Sequence, residues 1–347
     1  MTIIFGVFIL YIILNLSFVR RGLNEEYISK ENSKKINGIF VMLVFFSHIS
    51  QQMNLNSGWI DNYFLIIISY IGQLMVTTFI FYSGYGIYES IKKKKSNYID
   101  SMPQKRILST LIKFDIAVII YAILGYIIGS EYSIKTILLS LTGWTSVGNS
   151  NWYIFSIIFM YIITYLSFKI FRKDNESALV LNTILVILFM YIMSNLKESW
   201  WYNTLLCYPF GMWYSQYKEK IEKFLDNSIK YYIILFLITA LLVISFIIKK
   251  ITIIYITGFV LSFISLIVLF SMKFKFGNNT RIFDFLGNNV FYIYIYQRIP
   301  MILLKNISCI HNNKYFYFIL SLIITIIITV IANYIEKKVI IKKLNIK

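Results

Sequence analysis

An all-α polytopic transmembrane bundle is the fold class this sequence predicts, on three observations. Of 347 residues, 58% are apolar and 14% charged, whereas soluble domains are roughly 25% charged. The mean hydropathy is +0.68. The apolar residues also gather into stretches of about 20, the length a helix needs to cross a bilayer core, and lysine and arginine concentrate in every second connection between them.

Taken in order, the first stretch is 2–19. It has no basic leader or small-residue cleavage site, and Arg20 and Arg21 follow it, so it reads as a retained helix rather than a signal peptide. The second, 36–53, follows Lys30, Lys34 and Lys35 and carries no Asp, Glu, Lys or Arg. The third, 63–88, closes on FIFYSGYGIYE and runs into Lys92–Lys95. The fourth, 107–129, begins after Lys105 and Arg106. Residues 130–150 then form a long polar connection, expected as a short interfacial helix and turn. Further spans are expected at 151–171, 177–196, 201–216, 231–248, 251–272, 285–304 and 314–336, eleven helices in all. Residues 217–230 interleave charge with Ile221, Phe224 and Leu225 and predict a separate amphipathic interfacial helix.

Orientation follows from charge. Segments 20–35, 89–106, 172–176, 217–230, 273–284 and 337–347 hold most of the 34 lysines and arginines. The positive-inside rule makes that side cytoplasmic, with the N-terminus outside the cell membrane and the C-terminus within. The net charge of +18 is therefore topological, and a nucleic-acid partner is not expected. Cys207 and Cys309 have neither partner spacing nor companion histidines, which excludes a disulfide framework and a Cys/His zinc site.

Ionisable groups within spans are costly and mark function by default. His48 is one of two histidines, and the other, His311, falls in a short polar loop. Counting 1.5 Å per residue from the basic side puts His48 about 18 Å deep, Arg298 about 20 Å and Asp115 about 12 Å. Three such groups at similar depth imply a wet internal cavity, while Lys113 lies nearer the edge and can snorkel. Ser83 and Gly84 thin a helix end beside Lys105 and Arg106, a seat for a phosphorylated ligand. On the other side, residues 143–153 combine amides, hydroxyls and aromatics suited to a polar acceptor, with Trp144, Asn151 and Trp152 as contacts. The competing reading makes all of these ordinary packing: tryptophan belts, flanking lysines and a satisfied polar cluster.

Six stretches, in this order, resemble acyltransferase family 3, integral membrane enzymes that O-acylate sugars of surface polysaccharides. They are INGIFVMLVFFSH (36–48), FIFYSGYGI (79–87), QKRIL (104–108), NWYIF (151–155), CYPFGMWY (207–214) and LGNNVFYIYIYQRIPM (286–301). The resemblance implies a ten-helix acyltransferase core over 36–347, preceded by an N-terminal helix and linker over 1–35. It implies an acetyl-CoA donor as substrate, with no bound cofactor or metal, a carbohydrate acceptor, and an essential histidine at the position of His48. Two positions depart from the family pattern. Asn37 stands where Arg or Lys is common, with Lys34 and Lys35 as nearby substitutes, and Gln297, followed by Arg298, stands where the late motif often has histidine. The expected machinery is His48 as base, Asp115 orienting it, and Arg298 with Gln297 at the developing oxyanion. Ser83, Gly84, Lys105 and Arg106 would hold the donor, and Trp144, Asn151, Trp152 and Gln297 the acceptor. A glycan or lipid-linked sugar transporter is the alternative, and a long-chain membrane acyltransferase of another type a third reading.

Overall fold

The computed structural model describes residues 1–53, 59–248, 251–277, 280–336 and 338. The basic tail over 337–347, used above for orientation, lies outside the described residues apart from Lys338. Helices α1 (Thr2–Leu14), α2 (Lys30–Ser50), α3 (Trp59–Ile71), α4 (Thr77–Lys94), α5 (Ser96–Met102) and α6 (Ser109–Ile127) come first. Then follow α7 (Ile134–Leu141), α8 (Trp152–Ile170), α9 (Asn175–Leu196), α10 (Cys207–Leu225) and α11 (Ser228–Ile247). The chain ends with α12 (Thr252–Ile254), α13 (Leu261–Lys273), α14 (Arg281–Asn288), α15 (Val290–Tyr296), α16 (Arg298–Lys305), α17 (Ser308–His311) and α18 (Lys314–Ile335). Strands β1 (Leu16–Phe18) and β2 (Phe274–Phe276) pair antiparallel, with Ser17 opposite Lys275.

Seven helical runs among the described residues are long and apolar enough to cross a membrane: 61–94, 96–127, 152–170, 175–196, 228–247, 252–273 and 314–335. They coincide with seven of the eleven expected spans. The other four differ for local reasons. α1 has 13 residues, about 20 Å of rise, and the rest of the expected 2–19 helix is drawn off into β1. α2 starts at Lys30, because Ser29 accepts a hydrogen bond from the Asn32 amide and caps it there. Its first turns are therefore polar. α10 runs unbroken through the charged stretch to Leu225, so the separate amphipathic helix expected at 217–230 does not exist as such; Asn227 ends it by capping α11 through the Ile229 and Lys230 amides.

The span expected at 285–304 is three short helices. Asn289 divides α14 from α15, turning its side chain back to the Phe285 carbonyl and accepting from Asn333 on α18 at 2.7 Å. Pro300 cannot donate to the Tyr296 carbonyl, and the helix is interrupted at Gln297, just before it.

Two further irregularities shape the interior. Pro103 opens a π-helical turn, Pro103–Leu108, between α5 and α6, which carries Arg106. Gly72 has φ of +39°, which an L-residue side chain rarely tolerates, and it starts the 3₁₀ turn Gly72–Val76 that bends the α3–α4 run. Elsewhere packing is close. Gly84 on α4 faces the Tyr208 carbonyl and Gly211 on α10 faces the Phe81 carbonyl, so the two backbones touch where neither has a side chain. Between α8, α9 and α10, Thr164 Oγ1 takes a bond from Asn182 Nδ2 at 3.1 Å and lies 2.8 Å from the Tyr208 hydroxyl. Lys113 is paired with Glu336 at 2.6 Å. The end carrying Arg20, Lys30, Lys94 and Arg172 is the basic end, and the other is called here the far end.

Candidate active site

A cavity of about 500 Å³ opens at the far end. α2 contributes Val44, Ser47, His48 and Gln51, which fall on one helical face. The bend supplies Gly72, Gln73, Met75 and Val76, and the loop before α8 supplies Ser146 and Asn149–Trp152. Tyr294, Arg298 and Trp200 complete the wall. His48 thus faces a polar crevice, with the Tyr294 ring 6.4 Å away and the Arg298 guanidinium as its charged neighbour.

The wall has polar atoms left over. Buried side-chain atoms with no hydrogen-bond partner include His48 Nδ1, Gln73 Oε1, Asn149 Nδ2, Ser150 Oγ and the Tyr294 hydroxyl. A buried polar group left unmet costs about 1–3 kcal/mol, and all five of these belong to residues that line the cavity. Arg298, half-buried, forms no hydrogen bond or ion pair with another described side chain.

The loop is stiff. Asn149 Oδ1 accepts from the Val147 amide at 3.0 Å and from Ser146 Oγ at 3.2 Å, and its buried NH₂ has no partner among the described residues. Asn151 Nδ2 donates to the Gly143 and Thr145 carbonyls at 2.8 and 3.0 Å, so this residue folds the loop as well as lining the cavity. Gly148, at φ of +101°, lies where an added Cβ would come within 3.3 Å of Ile302, one turn along α16 from Arg298.

A second cavity, about 590 Å³, opens at the basic end. Its cations are Lys30, Lys93, Arg106 and Lys218, with the hydroxyls of Ser29, Ser33, Ser83 and Ser90 and the carboxylates Glu25, Glu26 and Glu89. Arg106 donates through Nε to the Tyr98 hydroxyl at 2.9 Å, and Ser83 Oγ is 3.0 Å from the Tyr161 hydroxyl. Val76, just before α4, lines the far-end cavity, and Tyr82 on α4 the basic-end one. Six residues of helix separate them by about 9 Å. Buried Phe79 occupies that interval and meets Tyr153, which meets Tyr294 at 5.1 Å.

Of the residues expected at the site, the structure brings His48, Arg298, Asn151 and Trp152 to one cavity and Ser83 and Arg106 to the other. Five lie elsewhere. Asp115 lines neither cavity, and its Oδ1 is buried without a partner, so it does not orient His48. Gln297 is buried, donating to the Tyr294 carbonyl at 3.2 Å, outside the far-end wall. Trp144 packs with Phe155 and Trp201 behind the loop. Gly84 is consumed by α10, and Gly86 takes its place in the cavity wall. Lys105 is exposed and outside the lining. Lys34 and Lys35 do not substitute at Asn37, because Lys34 donates to Asn288 at 2.6 Å and Lys35 is 3.6 Å from Asp284, both on α14. Lys30 and Ser33 carry that face of α2 into the cavity instead. Gln73, Asn149, Ser150 and Tyr294 were not singled out individually. The signal for Gln73 was a Gly-Gln pair inside an apolar span, and Asn149 and Ser150 fell within the polar 143–153 stretch.

A family model described as an acyltransferase domain, acyltransferase family 3, matches residues 36–334. No curated protein and no solved structure shows a match. With the match covering most of the sequence, the chain belongs to the acyltransferase family 3 domain proteins and is a membrane acyltransferase.

Proposed function

We propose that this member of acyltransferase family 3 moves an acetyl group from acetyl-CoA to a hydroxyl of a cell-surface polysaccharide or its lipid-linked precursor. The observation that carries the reading is the far-end cavity, where an unpaired imidazole stands among unpaired hydroxyl, amide and guanidinium groups. The basic-end cavity is the donor side: Lys30, Lys93, Arg106 and Lys218 offer charge to the CoA phosphates. The positive-inside rule makes that end cytoplasmic, which leaves the far end to the acceptor and the N-terminus outside.

One ring nitrogen of His48 takes the proton of the acceptor hydroxyl as its oxygen attacks the thioester carbonyl. Arg298, Ser150 Oγ and Asn149 Nδ2 are the donors available to the negative charge that develops on the carbonyl oxygen. When the C–S bond breaks, the imidazolium returns its proton to the CoA thiolate, giving the O-acetyl ester and free CoA. The acetyl end of the donor reaches His48 past Phe79 and Tyr153, the aromatic interval between the cavities. A glycan transporter would also need a polar cavity, but the family match favours transfer.

The test is acetyl transfer by purified protein in lipid nanodiscs, with acetyl-CoA and surface glycan followed by mass spectrometry. General-base assistance is worth about 10²–10⁴-fold, so His48→Ala lowers the rate by about that factor. Equal rates in variant and parent would remove His48 from the mechanism.

A further inference from the structure

Arg298 is a cation with no hydrogen-bond or ion-pair partner among the described side chains. Asp115, the nearest carboxylate in sequence logic, lines neither cavity, and no Asp or Glu lines the far-end wall. A guanidinium presents five N–H donors in a planar fork, more than one tetrahedral oxygen takes up. The loop reinforces it. Asn149 spends its carbonyl oxygen on the Val147 amide, which fixes the amide so that its NH₂ is the free end. A Cβ at Gly148 would come within 3.3 Å of Ile302, four residues and one helical turn from Arg298, so the loop passes close to the stretch of α16 that carries the guanidinium. Arg298 and Asn149 thus line the same cavity with donors that no described side chain takes up, and Gln73 Oε1 in the same wall is an unpaired oxygen.

We propose that the acceptor is anionic: a hydroxyl-bearing glycan unit whose carboxylate or phosphate sits against Arg298 and Asn149 Nδ2 while the hydroxyl to be acylated lies at His48. This deepens the transferase reading and rests on it for the reaction, though not for binding. Arg–carboxylate and Arg–phosphate pairs share the bidentate geometry, so the two sources are separated by measurement. The cavity of about 500 Å³ holds one or two sugar units, which keeps the charge and the reactive hydroxyl within the same or adjacent residues. The Trp152 and Trp200 side chains bound the same space and supply apolar faces for a sugar ring.

The test is equilibrium binding of glucuronic acid, glucose 6-phosphate and glucose to the full chain in nanodiscs without acetyl-CoA, so that it does not depend on turnover. The parent binds at least one anionic sugar about tenfold or more tightly than glucose, and whichever anion binds better identifies carboxylate or phosphate. Arg298→Gln removes the difference between anionic and neutral sugar. Asn149→Asp, which keeps the acceptor for the Val147 amide and replaces the NH₂ with a carboxylate oxygen, removes it too. Arg298→Lys keeps a partial preference, a control for variants that fail to fold. Equal binding of all three sugars by the parent overturns the proposal, as does an anion preference that survives in Arg298→Gln. Loss of transfer in His48→Ala together with equal sugar binding by the parent would retain the transferase and discard the anionic acceptor.

Discussion

The Lys197 ammonium lies 4.0 Å from the centre of the Trp144 ring and 4.5 Å from that of Trp201, and it donates to the Trp144 carbonyl at 3.0 Å. Burial pushes this ammonium below the usual lysine range, with Glu198 pulling the other way. The cage joins the start of the loop over Trp144–Asn151 to the α9–α10 connection. That is how Trp144, absent from the cavity wall, still bears on it.

Lys197→Ala therefore frees the loop that presents Asn149 and Ser150. A cation–π contact is worth about 0.5–2 kcal/mol, so KM for the acceptor rises about 2- to 30-fold while KM for acetyl-CoA stays put. Lys197→Arg retains most of the effect. Steady-state kinetics with each substrate varied in turn distinguishes this from a general loss of folded protein, in which both constants would keep their values and kcat alone would fall.

Gly84 and Gly86 sit two residues apart and predict opposite outcomes. A Cβ at Gly84 runs into the Tyr208 backbone, whereas one at Gly86 meets nothing within 4 Å. Overpacking costs about 1–3 kcal/mol, so Gly84→Ala lowers the thermal midpoint in detergent, whereas Gly86→Ala, unobstructed within a helix where Ala is favoured over Gly by about 1 kcal/mol, raises it. A stable Gly84→Ala protein would show that α4 and α10 do not cross as described.

At the proposed donor side, lysines are separated by direction rather than by number. Lys30 and Lys218 line the basic-end cavity, while Lys34 and Lys35 are engaged with α14. A charged contact in such an open site is worth about 0.5–1 kcal/mol, so Lys30→Ala or Lys218→Ala raises KM for acetyl-CoA about two- to fivefold. Raising salt shrinks the difference. Lys35→Ala changes neither constant, and an equal effect at Lys35 would move the donor site toward α14.

Much of this was legible beforehand because membranes simplify the code. Hydropathy located seven helices, five of them within about three residues of both observed ends, since a chain in lipid must satisfy its backbone within helices or a closed barrel. His48 stood out for the same reason: an imidazole in an apolar stretch demands an explanation. What the residues could not show was rotation about each helix axis. Depth alone grouped Asp115 with His48 and Arg298, yet the direction of its side chain is set by how α6 packs, and it misses the cavity. Gly84 and Lys105 failed similarly: next to Ser83 and Arg106 in sequence, each points some 100° away on its own turn. Gln297 beside Arg298 is another instance. The breaks at Gly72, Pro103 and Asn289 were readable only as permitted residues, not as bends.

Gly72 has the widest consequence. The bend it starts supplies Gly72, Gln73, Met75 and Val76 to the wall of the chamber around His48. Straightening that run would slide Gln73, Met75 and Val76 off the wall together and close the space from one flank. Under the proposed function, retuning the enzyme toward a bulkier acceptor is thus a matter of changing the pitch of one hinge, and His48 on α2 can remain untouched throughout.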